Sequence, residues 1–151
     1  MKDEMYFEDF KVGDMFRLPS RTMTDAHYMF FAGMTGDNHP IHYDEEYCKR
    51  MGFGGRLAYG LLLAGMTALG ASSLSAPMEN SVVAFVEQSS RFLKPVFIGD
   101  TLSAVHEMAE VKSKRTTGVV KMKVTMTNQR GEVVLEGSHT YLFKRWEAGQ
   151  K

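Results

Sequence analysis

From residue 119 the chain alternates. Val120, Met122, Val124 and Met126 are apolar, and Lys121, Lys123, Thr125 and Thr127 between them are not. A period of two places the two sets on opposite faces of an extended chain, so VVKMKVTMT predicts a strand with one buried face. NQRGE follows, with Gly131 free to take positive φ, and VVLEGSHTYLFKRW then returns as the partner strand of a hairpin. SVVAFVEQSSRFLKPV and LSAVHEMAEV supply two more strands, joined by the turn-rich KPVFIGDT. Pro95 has no N–H to give a ladder, so it marks a strand end. Four or five antiparallel strands with one apolar face require an apolar layer to cover it.

The cover is LAYGLLLAGMTALGASSL, apolar nearly all round, which predicts a buried helix from Ala58 to about Leu74. Its Gly60, Ala64, Gly65, Ala68 and Ala71 allow other backbones to approach closely. The apolar run from Leu57 to Ala71 is too short to span a bilayer. The expected architecture is α+β, an antiparallel sheet wrapped around a long central helix, with residues 1–151 as one domain. Ahead of it, Met15 to Arg21 predicts an opening strand. Thr24 reads as the N-cap of a helix over Asp25–Met34, ended by Thr35 and Gly36. YDEEYCKRMG predicts a second helix, with Asp44 as N-cap, Lys49 and Arg50 in the last turn and Gly52 as the stop.

Composition removes several classes of function. Lysine plus arginine and aspartate plus glutamate number 18 each, which leaves no electrostatic footprint for nucleic acid or an anionic membrane. The single cysteine, Cys48, cannot form an internal disulfide, which favours a reduced, cytoplasmic setting. MKDEMYFEDF is acidic and lacks an apolar run, unlike a signal peptide. No P-loop, GxGxxG, GxSxG or CxxC occurs, and no cofactor is expected.

The stretch GDNHPIH carries Asp37, His39 and His42 around Pro40. Five residues on a helix turn through about 140°, so helix would set Asp37 and His42 on different faces. Pro40 disfavours helix at His39 and predicts a turn instead, and a turn can aim both side chains at one point. A carboxylate and an imidazole so placed can hold one water and exchange its protons, the chemistry of general acid–base catalysis. The same residue types also serve as ordinary turn formers, with Asp37 bonding backbone amides. A metal set of Asp37, His39 and His42 matches no zinc spacing, so no metal is expected. His27, His106 and His139 stand in regular elements and read as packed or surface residues. Gly60, at the start of the apolar helix, would let a carbonyl oxygen approach unpaired amides, or would merely ease packing.

In order, FEDFKVGDMF, RTMTDAHYMFFAGMTGDNHPIHYDEEYC, FGGRLAYGLLLAGM and RFLKPVFIGDTL resemble the MaoC-like dehydratases, which include the (R)-specific enoyl-CoA hydratases. The resemblance implies a hot-dog fold and a homodimer in which two sheets join, with an acyl-CoA substrate. It implies a hydro-lyase that reversibly adds water to a trans-2-enoyl thioester, giving a (3R)-hydroxyacyl thioester. Asp37 and His42 fall on the family's catalytic pair, and Gly60 on the glycine whose amide faces the thioester oxygen.

Three positions depart from the family pattern. His39 stands where the family has Asn, Tyr59 replaces the His of AHG beside the oxyanion site, and Cys48 replaces a small residue. His39 and Tyr59 are therefore candidate substrate-binding residues beside Gly60. A hot-dog thioesterase and a non-catalytic acyl-CoA-binding paralogue are the alternative readings. Lys49, Arg50, Arg56, Lys112, Lys114 and Arg115 are candidate partners for CoA phosphates, with solvated surface as the leading alternative for most of them.

Overall fold

The computed structural model describes residues 3–146. Its strands are β1 (Met15–Arg17), β2 (Arg21–Thr22), β3 (Val82–Phe92), β4 (Thr101–Ser113), β5 (Thr117–Thr127) and β6 (Val133–Lys144). Its α-helices are α1 (Asp25–Thr35), α2 (Glu45–Arg50) and α3 (Gly60–Gly65). All strand pairs are antiparallel, in the order β1-β4-β5-β6-β3, with β2 also pairing with β4. The alternation in β5 behaves as expected: Val120, Met122, Val124 and Met126 are buried. Gly131 takes φ +75° in the β5–β6 turn, a conformation that costs glycine nothing. The opening strand is split in two. Leu18–Pro19–Ser20 interrupts it, because Pro19 cannot donate to the ladder that β1 and β2 share with β4.

The sheet curls around α3 in the hot-dog arrangement, but the central helix is shorter than the sequence suggests. It covers Gly60–Gly65, and a single 3₁₀ turn follows at Leu69–Ala71. Past Gly65 the amides reach back three residues instead of four: Thr67 to Ala64 and Ala68 to Gly65. Gly65 and Gly70 lower helix propensity here, and the Thr67 hydroxyl donates to the Ala64 carbonyl at 2.6 Å, competing for the acceptor. Apolarity still buries the segment, with Leu63, Leu69 and Leu74 all inaccessible. One core cluster joins α1, α3 and the near ends of β4, β5 and β6 through Tyr28, Tyr59, Leu63, Leu102, Val124 and Leu135. A second packs Phe7, Phe10, Leu69, Met108, Met122 and Phe143 at the other end.

β3 is an edge strand whose apolar Val83, Phe85, Val86 and Phe92 remain exposed. Among the described residues, no helix is long and apolar enough to cross a membrane.

Candidate active site

Asp37 lies just past α1. The helix stops because Gly36 enters the left-handed region at φ +72° and donates its N–H to Ala32 at 2.8 Å. The Asp37 Oδ1 then accepts the His39 N–H at 3.3 Å, an Asx-type turn. Pro40, as the first residue of a 3₁₀ turn (Pro40–His42), redirects the chain, and Asp44 Oδ1 caps α2 by accepting from Tyr47 N–H at 2.8 Å.

His42 is held by residue 57. Leu57 N–H donates to Ile41 at 3.0 Å, and His42 Nδ1 bonds the Leu57 carbonyl at 2.7 Å. A carbonyl can only accept, so Nδ1 carries the proton and the neutral ring leaves Nε2 with a bare lone pair. That atom lies 4.0 Å from Asp37 Oδ2. Two acceptors cannot bond each other directly, and at this separation a water can donate one O–H to each. The His42 side chain is 14% exposed and that of Asp37 49%, so the imidazole is walled in while the carboxylate stands at a rim.

Tyr59 precedes α3. Its ring stacks on that of His42, centroids 3.7 Å apart and 24° between planes. Its hydroxyl donates to the Asp37 carbonyl at 3.2 Å. Burial, with the Asp37 charge adding to it, pushes the phenol above its ordinary value, so it remains a donor at neutral pH. Gly60 opens α3, where the first amides have no intrahelical acceptor. A Cβ at Gly60 would come within 3.0 Å of the Phe92 ring.

Two cavities meet at His42. One, of about 430 Å³, is lined by His42, Leu57, Gly60, Leu63, Phe92 and Lys94, among others. The other, of about 520 Å³, lies under α1 and includes Tyr28, Gly33, Asn38, Arg56 and Tyr59. The arrangement is therefore an imidazole with a bare Nε2, a carboxyl group, the first amides of α3 and an apolar cleft close together.

A family model for the MaoC-like domain matches residues 9–130. The chain belongs to the MaoC-like family. It is 31% identical over 137 residues to an (R)-specific enoyl-CoA hydratase of Rhodospirillum rubrum, covering 91% of this chain and 90% of that one. It is 32% identical over 134 residues to a 3-hydroxybutyryl-CoA dehydratase of Methylorubrum extorquens, covering 88% and 80%. Among solved structures, an Archaeoglobus protein described as a monoamine oxidase regulatory protein superposes with a TM-score of 0.89 at 36% identity, covering 97% and 98%.

The structure brings Asp37, His42, Tyr59 and Gly60 together. His39 stands apart: it is exposed, its Nδ1 accepts the Ile41 N–H at 3.3 Å, and its ring centroid is 6.5 Å from that of His42. Among the described residues, no group of His, Cys, Asp and Glu could hold a metal ion.

Of the candidate phosphate-binding cations Arg56 lines the second cavity, and the others do not gather there. Lys112 pairs with Val119 and Ser113 with Gly118, at the end of the sheet remote from Phe92, so Lys114 and Arg115 in the adjoining turn are remote too. Arg56 is tied to Asp25 at 2.8 Å, Lys49 to Glu46 at 2.7 Å, and Arg50 lies over the Tyr47 ring. Lys94, which lines the Gly60 cavity, was not among them. It pairs with Glu132 at 2.6 Å, whose carboxyl is held at about 2 by hydrogen bonds from Asn128, Lys94 and Arg130. The Leu57 carbonyl was also missed, since any residue supplies a carbonyl and no side chain advertises it.

Proposed function

We propose that the protein is an (R)-specific enoyl-CoA hydratase working through Asp37, His42 and the Gly60 amide. The observation that carries this reading is the 4.0 Å gap between His42 Nε2 and Asp37 Oδ2, beside free helix amides and an apolar cleft. The hydratase and dehydratase relatives support it, each covering most of the chain.

In the hydration direction the thioester oxygen accepts from the Gly60 amide, which stabilises negative charge as it builds. A water donates to His42 Nε2 and Asp37 Oδ2, leaving its oxygen lone pairs free. Its oxygen bonds C3 while His42 Nε2 removes one of its protons. The C2–C3 π electrons shift toward the thioester oxygen. The proton held by His42 passes across the gap to the Asp37 carboxylate, and the enolate takes it from Asp37 at C2, restoring both groups.

The working unit is a homodimer. β3 leaves a long edge of unpaired backbone groups with exposed apolar side chains, a surface that a second β3 would cover, and Asp37 stands at a rim that a partner would close. The setting is the cytoplasm, where the lone buried thiol of Cys48 stays reduced.

Mixing the purified protein with crotonyl-CoA should bleach the conjugated enoyl thioester absorbance without releasing a thiol, and Asp37→Asn should lose most of that rate while staying folded. Release of free CoA would establish hydrolysis instead. Tight acyl-CoA binding without turnover would leave a binding protein. Equal rates for wild type and Asp37→Asn would end the mechanism.

A further inference from the structure

We propose that Tyr59 is a positioning residue that fixes the gap between His42 and Asp37, acting through both without touching the substrate. This rests on the hydratase reading. The side chain is well placed for the task. It is 3% exposed, so it presents almost nothing to a ligand. One face of its ring lies on the His42 imidazole at 3.7 Å. The ring is itself held by Phe31, with centroids 4.9 Å apart, and by the edge of Tyr28 at 5.8 Å. Its hydroxyl reaches the Asp37 backbone carbonyl at 3.2 Å. One rigid phenol thus spans the two halves of the acid–base pair.

Each half needs that support. His42 is anchored through Nδ1 at the Leu57 carbonyl, and a ring pinned at one atom can still tilt. Tilting moves Nε2, the atom that must face the water. A stacked neighbour at van der Waals contact blocks the tilt. Asp37 lies in an exposed loop, its own N–H bonded to the Thr35 hydroxyl at a long 3.3 Å. The phenol O–H holds the other side of that residue. Tyr59 also immediately precedes Gly60, and its carbonyl accepts from Leu63 N–H at 3.2 Å as the first bond of α3. A shift of Tyr59 would therefore move the amide donor along with the acid and the base. Catalysis is sensitive to such shifts, since a displacement of ~1 Å can cost ~10²-fold.

Three variants test the proposal. Tyr59→Phe keeps the ring and loses the tie to Asp37. Tyr59→Leu fills the space without a flat stacking surface. Tyr59→His restores a flat ring that can also donate. With crotonyl-CoA, kcat should fall about tenfold in Tyr59→Phe and about 10²-fold in Tyr59→Leu, with KM within about threefold of wild type. Tyr59→His should recover most of the rate. Wild-type kcat in Tyr59→Leu, or a raised KM with unchanged kcat, would overturn the proposal. The second result would make Tyr59 a substrate contact. Tyr59→Phe removes one atom and keeps the core filled, so it decides the question should Tyr59→Leu fail to fold.

A wild type inert toward every enoyl-CoA would sink the hydratase reading. The positioning role would still be testable by NMR. Stacking shifts the His42 ring-proton resonances upfield through the Tyr59 ring current, and Tyr59→Leu should abolish that shift while Tyr59→Phe keeps it. Resonances unmoved in Tyr59→Leu would overturn the geometry on which the proposal stands.

Discussion

Acid should destabilise this fold through two histidines that take no part in the proposed chemistry. His106 and His139 lie back to back in the sheet under α3, ring centroids 5.0 Å apart, with His139 only 2% exposed. His106 Nε2 donates to the Thr67 carbonyl at 2.8 Å, and His139 Nε2 bonds the Thr67 hydroxyl at 3.0 Å. That hydroxyl spends its proton on Ala64, so the His139 Nε2 is the donor and its Nδ1 is bare. Among the described residues neither Nδ1 has a hydrogen-bond partner. Among the described residues the groups named around His139, which include Thr67, Phe85, Gln88, His106, Met122 and Tyr141, are not acids that could steady an imidazolium. Burial therefore lowers His139 from 6.5 to about 4, and His106 is lowered too, for the same reason.

The sign follows from proton counting. Below pH 6.5 the unfolded chain gains protons that the folded chain refuses, so unfolding is favoured as pH falls. The contribution is complete above 6.5 and is lost between there and about 4. For His139 the loss is about 3 kcal/mol, at up to ~1.4 kcal/mol per pH unit. His106 adds to it in the same direction. Urea unfolding followed by circular dichroism from pH 4.5 to 8, at one fixed protein concentration, measures the slope. In His139→Gln the amide can still donate to Thr67 but cannot titrate, so its stability curve should be much flatter between pH 6.5 and 4.5. Parallel curves for variant and wild type would refute the reasoning.

Other expectations are simpler. Gly60→Ala sets a methyl group against the Phe92 ring and crowds the amide donor, so kcat should fall roughly 10-fold to 10²-fold in the crotonyl-CoA assay. A Cβ at Gly137 would collide with the Ser89 backbone oxygen, so Gly137→Ala should destabilise by roughly 1–3 kcal/mol in urea unfolding. Val86→Lys alters an exposed side chain of the β3 edge and should cost the single chain little, yet it places like charges together if two β3 edges join; sedimentation velocity should then report monomer.

The sequence was legible where local chemistry and global fold agree. The alternation of β5 names its buried face residue by residue, because a strand's side chains have no other way to divide. Asp44 and Gly36 mark helix ends because their side-chain oxygen and missing Cβ act within a few residues. Pro40 marked the turn for the same reason. The central helix was overestimated because apolarity reports burial and is silent on how the backbone bonds inside that burial. Leu69 and Leu74 are as buried as helix residues would be, yet they sit in tighter turns. Lys112, Lys114 and Arg115 stand far from the cleft, in keeping with their reading as solvated surface, because strand register and not charge sets that distance.

The site itself depends on pairing that no spacing rule contains. Residues 43–56, with α2 among them, form an excursion whose two ends are locked: Leu57 donates its N–H to Ile41 and accepts from His42. Ala58 N–H then bonds Val96 at 2.8 Å, which fixes that lock to the segment after β3. Cys48 Sγ lies 3.3 Å from the Ile41 carbonyl and packs the excursion against its own base. His42, the stacked Tyr59 phenol and the Gly60 amide therefore share one frame, and Asp37 approaches from outside it, on the loop after α1. Loosening the excursion should then disturb His42 and Gly60 together, while loosening the end of α1 should disturb Asp37 alone. Substituting Gly36, whose positive φ ends α1, isolates the second case: Gly36→Val should lower kcat as Asp37→Asn does, yet leave acyl-CoA binding near its wild-type strength by calorimetry. Loss of binding along with rate would mean that the carboxylate and the cleft are not separable in this way.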